Sequence, residues 1–216
     1  MFPFFTPKSM RISGYLTFTG EPHLVVFPES GFSIKGLEET MFPAVTSFYH
    51  GTGSGEKRLA LGSWLLNHIG IYINKNYADI FPAGISINVV NRNYITNVLE
   101  YRCFERGINV ETSACGTGAL AVSCVAKQLG LTKDGRITIL PVRCRWDEPE
   151  AQMLVEREEA GWSLHAQPRI LVKGDFYLPQ QKTAKKHERP QAPHQGAKST
   201  SNAVDKRFET MQVCAG

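Results

Sequence analysis

The chain has 216 residues, of which 42% are hydrophobic, with 19 glycines and 12 prolines, a composition typical of a turn-rich globular protein with a sizeable core. Its net charge of +4 comes from the segment beginning at Leu178, so a basic nucleic-acid-binding face on the folded part is not expected. No apolar run reaches the roughly 18 residues of a membrane helix. The N-terminus also lacks a signal-peptide pattern, and both features predict a cytoplasmic protein without membrane partners.

The cysteines are five in number and widely spaced, and none forms a CxxC pair. An odd number without paired spacing indicates reduced thiols, and it argues against a disulfide framework or a zinc site. Cys103 is predicted to be a core residue by strand alternation, and Cys124 by its place on the apolar face of a helix. No metal ligand set is predicted.

The first half of the chain predicts two short strands and a long helix. The strands, 15–18 and 23–27, flank the turn Gly20-Glu21-Pro22, and a helix is expected over 33–41. Apolar residues at three- and four-residue steps predict a helix over 56–77. The turn Pro82-Ala83-Gly84 then leads into a strand over 85–90.

The second half predicts one more helix among many strands. A strand over 95–104 ends at Glu105, and a helix over 116–129 is closed by Gly130. After a turn at Asp134-Gly135, short strands are expected at 136–140, 143–146, 152–156, 162–164 and 170–173. These elements indicate a strand-rich α+β domain whose sheet wraps one helix. The polar, proline-broken segment 180–204 is predicted to be disordered.

The segment from Phe104 to Leu120 carries the strongest chemical signal. Cys115 lies in a Gly/Thr turn that opens an apolar helix, where the helix dipole lowers the pKa of a thiol. The amides of Gly116, Thr117 and Gly118 are expected to be free to bind an anion such as a carboxylate. With Glu105 about ten residues earlier, the pattern predicts a reactive-thiol site.

The same segment resembles the second half of the diaminopimelate epimerase family. The similarity rests on Glu105-Arg106-Gly107, then Glu111-Thr112, then the block Cys115-Gly116-Thr117-Gly118-Ala119. Three further segments agree in order: Gly20-Glu21-Pro22-His23, the segment 81–88 and the segment 167–176. The resemblance covers roughly residues 14–177.

The resemblance implies a fold and a domain organisation. The fold is an α+β half-domain with a barrel-like, mostly antiparallel sheet around a central helix, which here is 116–129. Residues 1–13 are then an N-terminal remnant or junction, 14–178 the C-terminal catalytic half-domain, and 179–216 a disordered basic tail.

The resemblance also implies a cofactor-independent amino-acid isomerase of the kind used in lysine biosynthesis. Two cysteines act on opposite faces of the substrate α-carbon, and Cys115 is one of them, partnered by Glu105. His23 corresponds to the partner of the other cysteine. Arg106 is expected to pair with a substrate carboxylate, while the amides of Gly116 and Thr117 hold the α-carboxylate and spread the enolate charge.

One departure from the family concerns the second cysteine. In the family it lies in an N-terminal half-domain within a Gly-Asn-x-x-Arg-Cys context, and this sequence contains no such context. The expectation is therefore a fragment or mis-started product, a chain that works with an N-terminal half-domain or as a homodimer, or an inactive half-domain.

Another departure concerns the substrate. Glu21 and Ser86 stand where the family has two asparagines that read the distal end of diaminopimelate. A carboxylate at position 21 would repel a distal carboxylate, so a racemase of another amino acid, such as histidine, is the alternative. Two rival hypotheses also stand. One is a cysteine acyl transferase with Cys115 as nucleophile and His23 as its base, and the other is a half-domain that only binds or dimerises.

Overall fold

The computed structural model describes residues 10–32, 36–43, 54–93, 98–132, 135–145, 151–168, 173 and 174. The described residues up to Gln167 all fall in one compact unit. Of a second unit, Pro168–Phe208, only three residues are described. The N-terminal residues 1–9 and the tail from 179 lie outside the described residues, so the predicted domain boundaries stay a prediction.

The described residues form one eight-stranded sheet and four helices. The strands are β1 Tyr15–Phe18, β2 Pro22–Val26, β3 Ser86–Asn93, β4 Val98–Glu105, β5 Val110–Thr112, β6 Arg136–Pro141, β7 Met153–Glu158 and β8 Gly161–His165. The helices are α1 Pro28–Gly31, α2 Leu37–Met41, α3 Ser54–Asn76 and α4 Gly116–Gln128. Among the described residues, no helix is both long enough and apolar enough to cross a membrane.

The sheet curls around α4. Its strand order is β1-β2-β3-β4-β6-β7-β8, with β5 paired to β4. Five of the strand pairs are antiparallel, and β2–β3 and β4–β6 are parallel. Helix α4 packs against β1, β2 and β3 at one end of the sheet and against β7 and β8 at the other. The predicted α+β fold, with a barrel-like, mostly antiparallel sheet around a central helix, is therefore confirmed.

Strand β4 separates two cores because its side chains alternate between the faces of the sheet. Leu99, Tyr101 and Cys103 belong to the core that contains α4. Phe104 belongs to the core that contains α3. The predicted burial of Cys103 by alternation is confirmed, and Cys124 packs partly buried against the same core as Cys103.

A buried ion pair fixes β5 to β4 on the α3 side. Arg102 donates from Nε to Glu111 Oε1 at 2.7 Å, from a terminal nitrogen to Glu111 Oε2 at 3.2 Å, and to the carbonyl of Met41 at 3.0 Å. Helix α3 supplies two further bonds, from the Ser63 hydroxyl to the Glu111 carboxylate and from the Glu111 amide to Asn67 Oδ1. The hairpin that leads to Cys115 is thus anchored to the helix behind it.

Two predicted elements are corrected. The expected strand over 143–146 is wrong, because Val142–Arg145 forms a 3-10 turn, and Trp146 lies outside the described residues. Pro141 cannot donate a ladder hydrogen bond, so β6 ends there. The expected helix over 33–41 begins only at Leu37, since Gly36 adopts a left-handed φ of 81°.

Other boundaries differ by a few residues or cannot be compared. Helix α3 matches the predicted helix over 56–77 closely, and β5 was not predicted. Asp134, residues 95–97 of the predicted strand over 95–104, and the strand positions 170–172 lie outside the described residues.

Candidate active site

The β4–β5 hairpin brings Cys115 next to Cys103. Cys103 pairs with Thr112 across the hairpin, and the chain reaches Cys115 three residues later. The turn is tight because Gly107 and Asn109 both adopt positive φ values, 81° and 61°, and the Asn109 amide bonds to the Glu105 carbonyl at 2.9 Å. Cys103 and Cys115, which are twelve positions apart in the sequence, therefore meet at the start of α4.

Tyr101 holds the backbone of Cys115 in place. Its hydroxyl donates to the Cys115 carbonyl at 3.0 Å and accepts from the Cys115 amide at 2.8 Å. Burial raises the pKa of Tyr101 well above its ordinary value, so the phenol keeps its proton and both bonds persist. The backbone that carries the thiol is thus held to the core by two hydrogen bonds to a buried phenol.

The surroundings of Cys115 favour its thiolate. The pKa of this thiol is lowered, chiefly by a hydrogen bond from the Cys103 thiol, with burial opposing the shift. The Thr117 hydroxyl and the Gly118 amide, each 3.3 Å from Sγ, lower it further. The pKa of Cys103 is raised well above its ordinary value, first by this bond to Cys115 and then by burial. Of the two thiols, Cys115 therefore loses its proton more readily than Cys103.

Glu105 completes this group. A carboxylate oxygen of Glu105 and the sulfur atoms of Cys103 and Cys115 all lie within 4.8 Å of one another. The Thr112 hydroxyl donates to Glu105 Oε1 and orients the carboxylate. The structure therefore places Glu105 beside Cys115, as the sequence predicted.

Glu21 connects the start of α4 to Arg106. Its Oε2 accepts from Arg106 Nε at 2.6 Å, and its Oε1 lies 3.2 Å from the Thr117 hydroxyl, which has a single proton to donate either here or to the Cys115 sulfur. Arg106 also donates to the Ala83 carbonyl at 3.1 Å. Thr19 reinforces the connection by donating to the Thr117 carbonyl at 2.8 Å. The guanidinium predicted to pair with a substrate carboxylate is thus paired with a carboxylate of the chain itself.

His23 is buried and neutral. Its pKa is lowered to about 4, mainly by burial, with Arg106 adding to the effect and Glu21 opposing it. Its Nδ1 lies 2.9 Å from Asn88 Nδ2, so Asn88 donates and the ring proton resides on Nε2, 3.5 Å from Glu21 Oε1. In the described part of the chain, no hydrogen bond joins His23 to Cys115.

The helix start offers two amides rather than three. The Gly118 amide donates to Cys115 Sγ, which corrects the expectation that it is free. Gly116 and Thr117 occupy the first positions of α4, whose amides have no partner within the helix. A Cβ at Gly116 would approach the Leu164 side chain to 2.9 Å, so any larger residue here requires Leu164 to shift. Ser86 is buried and accepts from the Arg106 amide at 3.2 Å.

The structure brings five of the predicted site residues into one chain of hydrogen bonds. Hydrogen bonds run from Cys115 through Thr117 to Glu21, and from Glu21 to Arg106 and on to Ser86. Sequence reasoning missed four supporting residues: Tyr101, Cys103, Thr112 and Asn88. Alternation along β4 places Tyr101 and Cys103 on the face of α4, but only the hairpin register shows that they meet Cys115.

Comparison with known proteins supports the resemblance. No family model matches the chain. The diaminopimelate epimerase of Archaeoglobus fulgidus is 30% identical over 139 residues, which are 54% of this chain and 48% of that protein. The diaminopimelate epimerases of Methanothrix thermoacetophila and Methanocella arvoryzae are each 46% identical over shorter stretches, 55 and 54 residues. Those stretches cover 26% and 25% of this chain, and 19% of each relative.

The chain is related to the diaminopimelate epimerase family, and the predicted resemblance is confirmed. It spans about half the length, or less, of these curated relatives.

Proposed function

We propose that the chain is a catalytic half-domain of a cofactor-independent amino-acid racemase or epimerase of the diaminopimelate epimerase type. The observation that carries this proposal is the Cys115 sulfur at the start of α4, whose pKa is lowered and which lies beside the Glu105 carboxylate. A thiolate base, a nearby carboxylate and two amides at a helix start are the groups needed to remove a proton next to a carboxylate.

In the proposed mechanism, the thiolate of Cys115 removes the α-proton of an amino acid and becomes a thiol. The electron pair left on the α-carbon spreads into the carboxylate, which the amides of Gly116 and Thr117 bind. Glu105 accepts the proton from Cys115 and restores the thiolate. In the reverse direction each proton transfer runs backwards through the same groups.

Inversion needs a second proton carrier on the opposite face of the α-carbon. In this proposal a thiol from a half-domain of the family's N-terminal type supplies it, on another chain or another segment. His23 is a neutral imidazole with its ring proton on Nε2, and it is the residue of this chain that corresponds to the partner of that second thiol. The enzyme requires reduced thiols, which fits a reducing compartment such as the cytoplasm.

The substrate is proposed to lack a second carboxylate. Glu21 Oε2 forms an ion pair with Arg106 Nε at 2.6 Å, so the positive charge of the guanidinium is already neutralised and does not attract a distal carboxylate. The Glu21 carboxylate itself favours a side chain that donates hydrogen bonds, and an imidazole is one. We therefore extend the proposal to an amino acid such as histidine, with diaminopimelate as the alternative and lysine biosynthesis as the corresponding pathway.

The test is α-proton exchange in deuterium oxide, followed by NMR, with diaminopimelate and histidine as substrates. The chain is mixed with the N-terminal half-domain of a curated relative, and the configuration of the product is determined by chiral chromatography. We expect exchange and inversion with the added half-domain, and faster turnover of histidine. Faster turnover of diaminopimelate would contradict the altered substrate, and no exchange of either would contradict the isomerase.

The acyl transferase hypothesis has less support. A nucleophilic thiol needs a base within hydrogen-bond reach, and His23 bonds to Asn88 instead. Adding an acyl thioester distinguishes the two, since a transferase would form an acyl-enzyme on Cys115 and release the donor's free thiol, with no deuterium at the α-carbon of an amino acid.

A further inference from the structure

Cys103 is a buried thiol that the proposed proton transfers do not use. It shares one small volume with the Cys115 sulfur and a Glu105 oxygen, each within 4.8 Å of the other two. The sequence argues against a metal site because its cysteines are not closely spaced. The hairpin register overcomes that spacing, since Cys103 and Thr112 face each other and Cys115 follows three residues later.

We propose that Cys103, Glu105 and Cys115 form a three-ligand site for a thiophilic divalent cation such as Zn²⁺. Two thiolates and one carboxylate are a ligand set that Zn²⁺ accepts, and three protein ligands leave a fourth position for water. Binding displaces the Cys103 proton into solvent and engages the sulfur that the proposed reaction uses as a base. The bound ion therefore competes with amino-acid turnover.

The distances suit this cation after a small contraction. With Zn–S bonds near 2.3 Å and a Zn–O bond near 2.1 Å, tetrahedral geometry puts two sulfurs about 3.8 Å apart and sulfur and oxygen about 3.6 Å apart. Because the present separations do not exceed 4.8 Å, no pair must close by more than about 1.2 Å. Side-chain rotations of Cys103 and Glu105 provide movements of that size.

The groups around the three ligands orient them. Thr112 donates to the Glu105 carboxylate, and Gly118 donates to the Cys115 sulfur at 3.3 Å. Such outer hydrogen bonds to ligand atoms are a regular feature of metal sites. Cys103 and Cys115 are both buried and Glu105 is half-buried, so of the three ligands the carboxylate is the one most exposed to solvent.

The experiment uses Co²⁺ as a spectroscopic probe and Zn²⁺ as its competitor, on the full chain without amino acid. Cys124→Ala, Cys144→Ser and Cys214→Ser first remove the other thiols. In this background we expect one Co²⁺ per chain, with the sulfur-to-cobalt absorbance of two thiolates. Cys103→Ala should halve that absorbance and weaken Zn²⁺ binding at least about 100-fold, whereas Glu105→Gln should weaken it about 10- to 100-fold.

Circular dichroism establishes that the variants are folded, and Glu105→Gln, at a half-exposed position, guards against a folding defect of Cys103→Ala. Co²⁺ binding that either variant leaves unchanged would overturn the site, as would a spectrum without thiolate absorbance at equimolar cobalt. Since no substrate is present, failure here leaves the isomerase proposal untouched, and failure of the isomerase leaves this result interpretable.

Discussion

Two Arg–Glu pairs have arginines only four residues apart, one within β4 and one just after it, and the pairs differ in burial. In the Arg102–Glu111 pair the side chains are 0% and 1% exposed, and in the Arg106–Glu21 pair they are 30% and 22% exposed. The first is enclosed between the sheet and α3, where water cannot replace a lost partner. The second borders the thiol site, where a substrate group can. The same chemistry therefore supports the fold in one place and, in the proposed enzyme, would select the ligand in the other.

The largest effect is expected on the buried pair. Glu111→Gln removes the carboxylate charge that is paired with the buried Arg102 guanidinium, which should cost about 3–5 kcal/mol of unfolding free energy. For a chain of this size that corresponds to a melting temperature lower by roughly 6–20 °C. Urea denaturation and thermal melting both measure it.

Glu21→Gln is the matched control for that substitution. Its pair is partly exposed, so the loss of unfolding free energy should stay below about 1 kcal/mol. Equal losses for the two variants would show that burial does not separate the pairs.

The second prediction concerns what the exposed pair selects. Glu21→Asn releases Arg106 for a substrate carboxylate, and a charge-assisted hydrogen bond of about 1.5–3 kcal/mol corresponds to at least about tenfold tighter binding of diaminopimelate. Isothermal titration calorimetry measures it, with histidine as the control ligand. Unchanged diaminopimelate binding would mean that Arg106 does not meet the distal carboxylate.

The third prediction concerns Cys103 on the opposite face of β4 from Arg102. Cys103→Ala removes the donor that stabilises the Cys115 thiolate, so the pKa of Cys115 should rise. The midpoint of its alkylation by iodoacetamide, mapped by mass spectrometry over a pH series, should move to higher pH. Cys124→Ala, on the same helix core but outside the site, should leave the midpoint in place, and an equal shift there would contradict the specific role of Cys103.

The last prediction changes pH rather than sequence and concerns His23, which lies 3.5 Å from Glu21 of the exposed pair. Its pKa near 4 in the folded chain lies below the value of about 6.5 in the unfolded chain, so the unfolded chain binds its proton first. The contribution of His23 to the unfolding free energy is therefore fully present above about pH 6.5, and it is lost as the pH falls toward 4. NMR of the imidazole should show no titration between pH 5.5 and 8, and a midpoint near 6.5 would contradict its burial.

Much of this arrangement follows from local sequence, and some of it does not. Strict alternation along β4 predicts the face of the sheet on which Cys103 lies. The Cys-Gly-Thr-Gly start of α4 predicts that the Cys115 sulfur lies close to the first amides of the helix. The pairing of Glu21 with Arg106 depends on side chains 85 positions apart, and no local pattern reports it. The 3-10 turn at Val142–Arg145 was missed because the alternating run Arg143-Cys144-Arg145-Trp146 also fits a short strand.

The central claim, that Cys115 is the base which removes the α-proton, is tested most directly by deuterium exchange in the chain supplied with an N-terminal half-domain. Cys115→Ser should reduce the rate of deuterium incorporation at the α-carbon by about 10²- to 10⁴-fold, while Cys124→Ser retains it. Incorporation by Cys115→Ser at the rate of the unsubstituted chain would contradict the account.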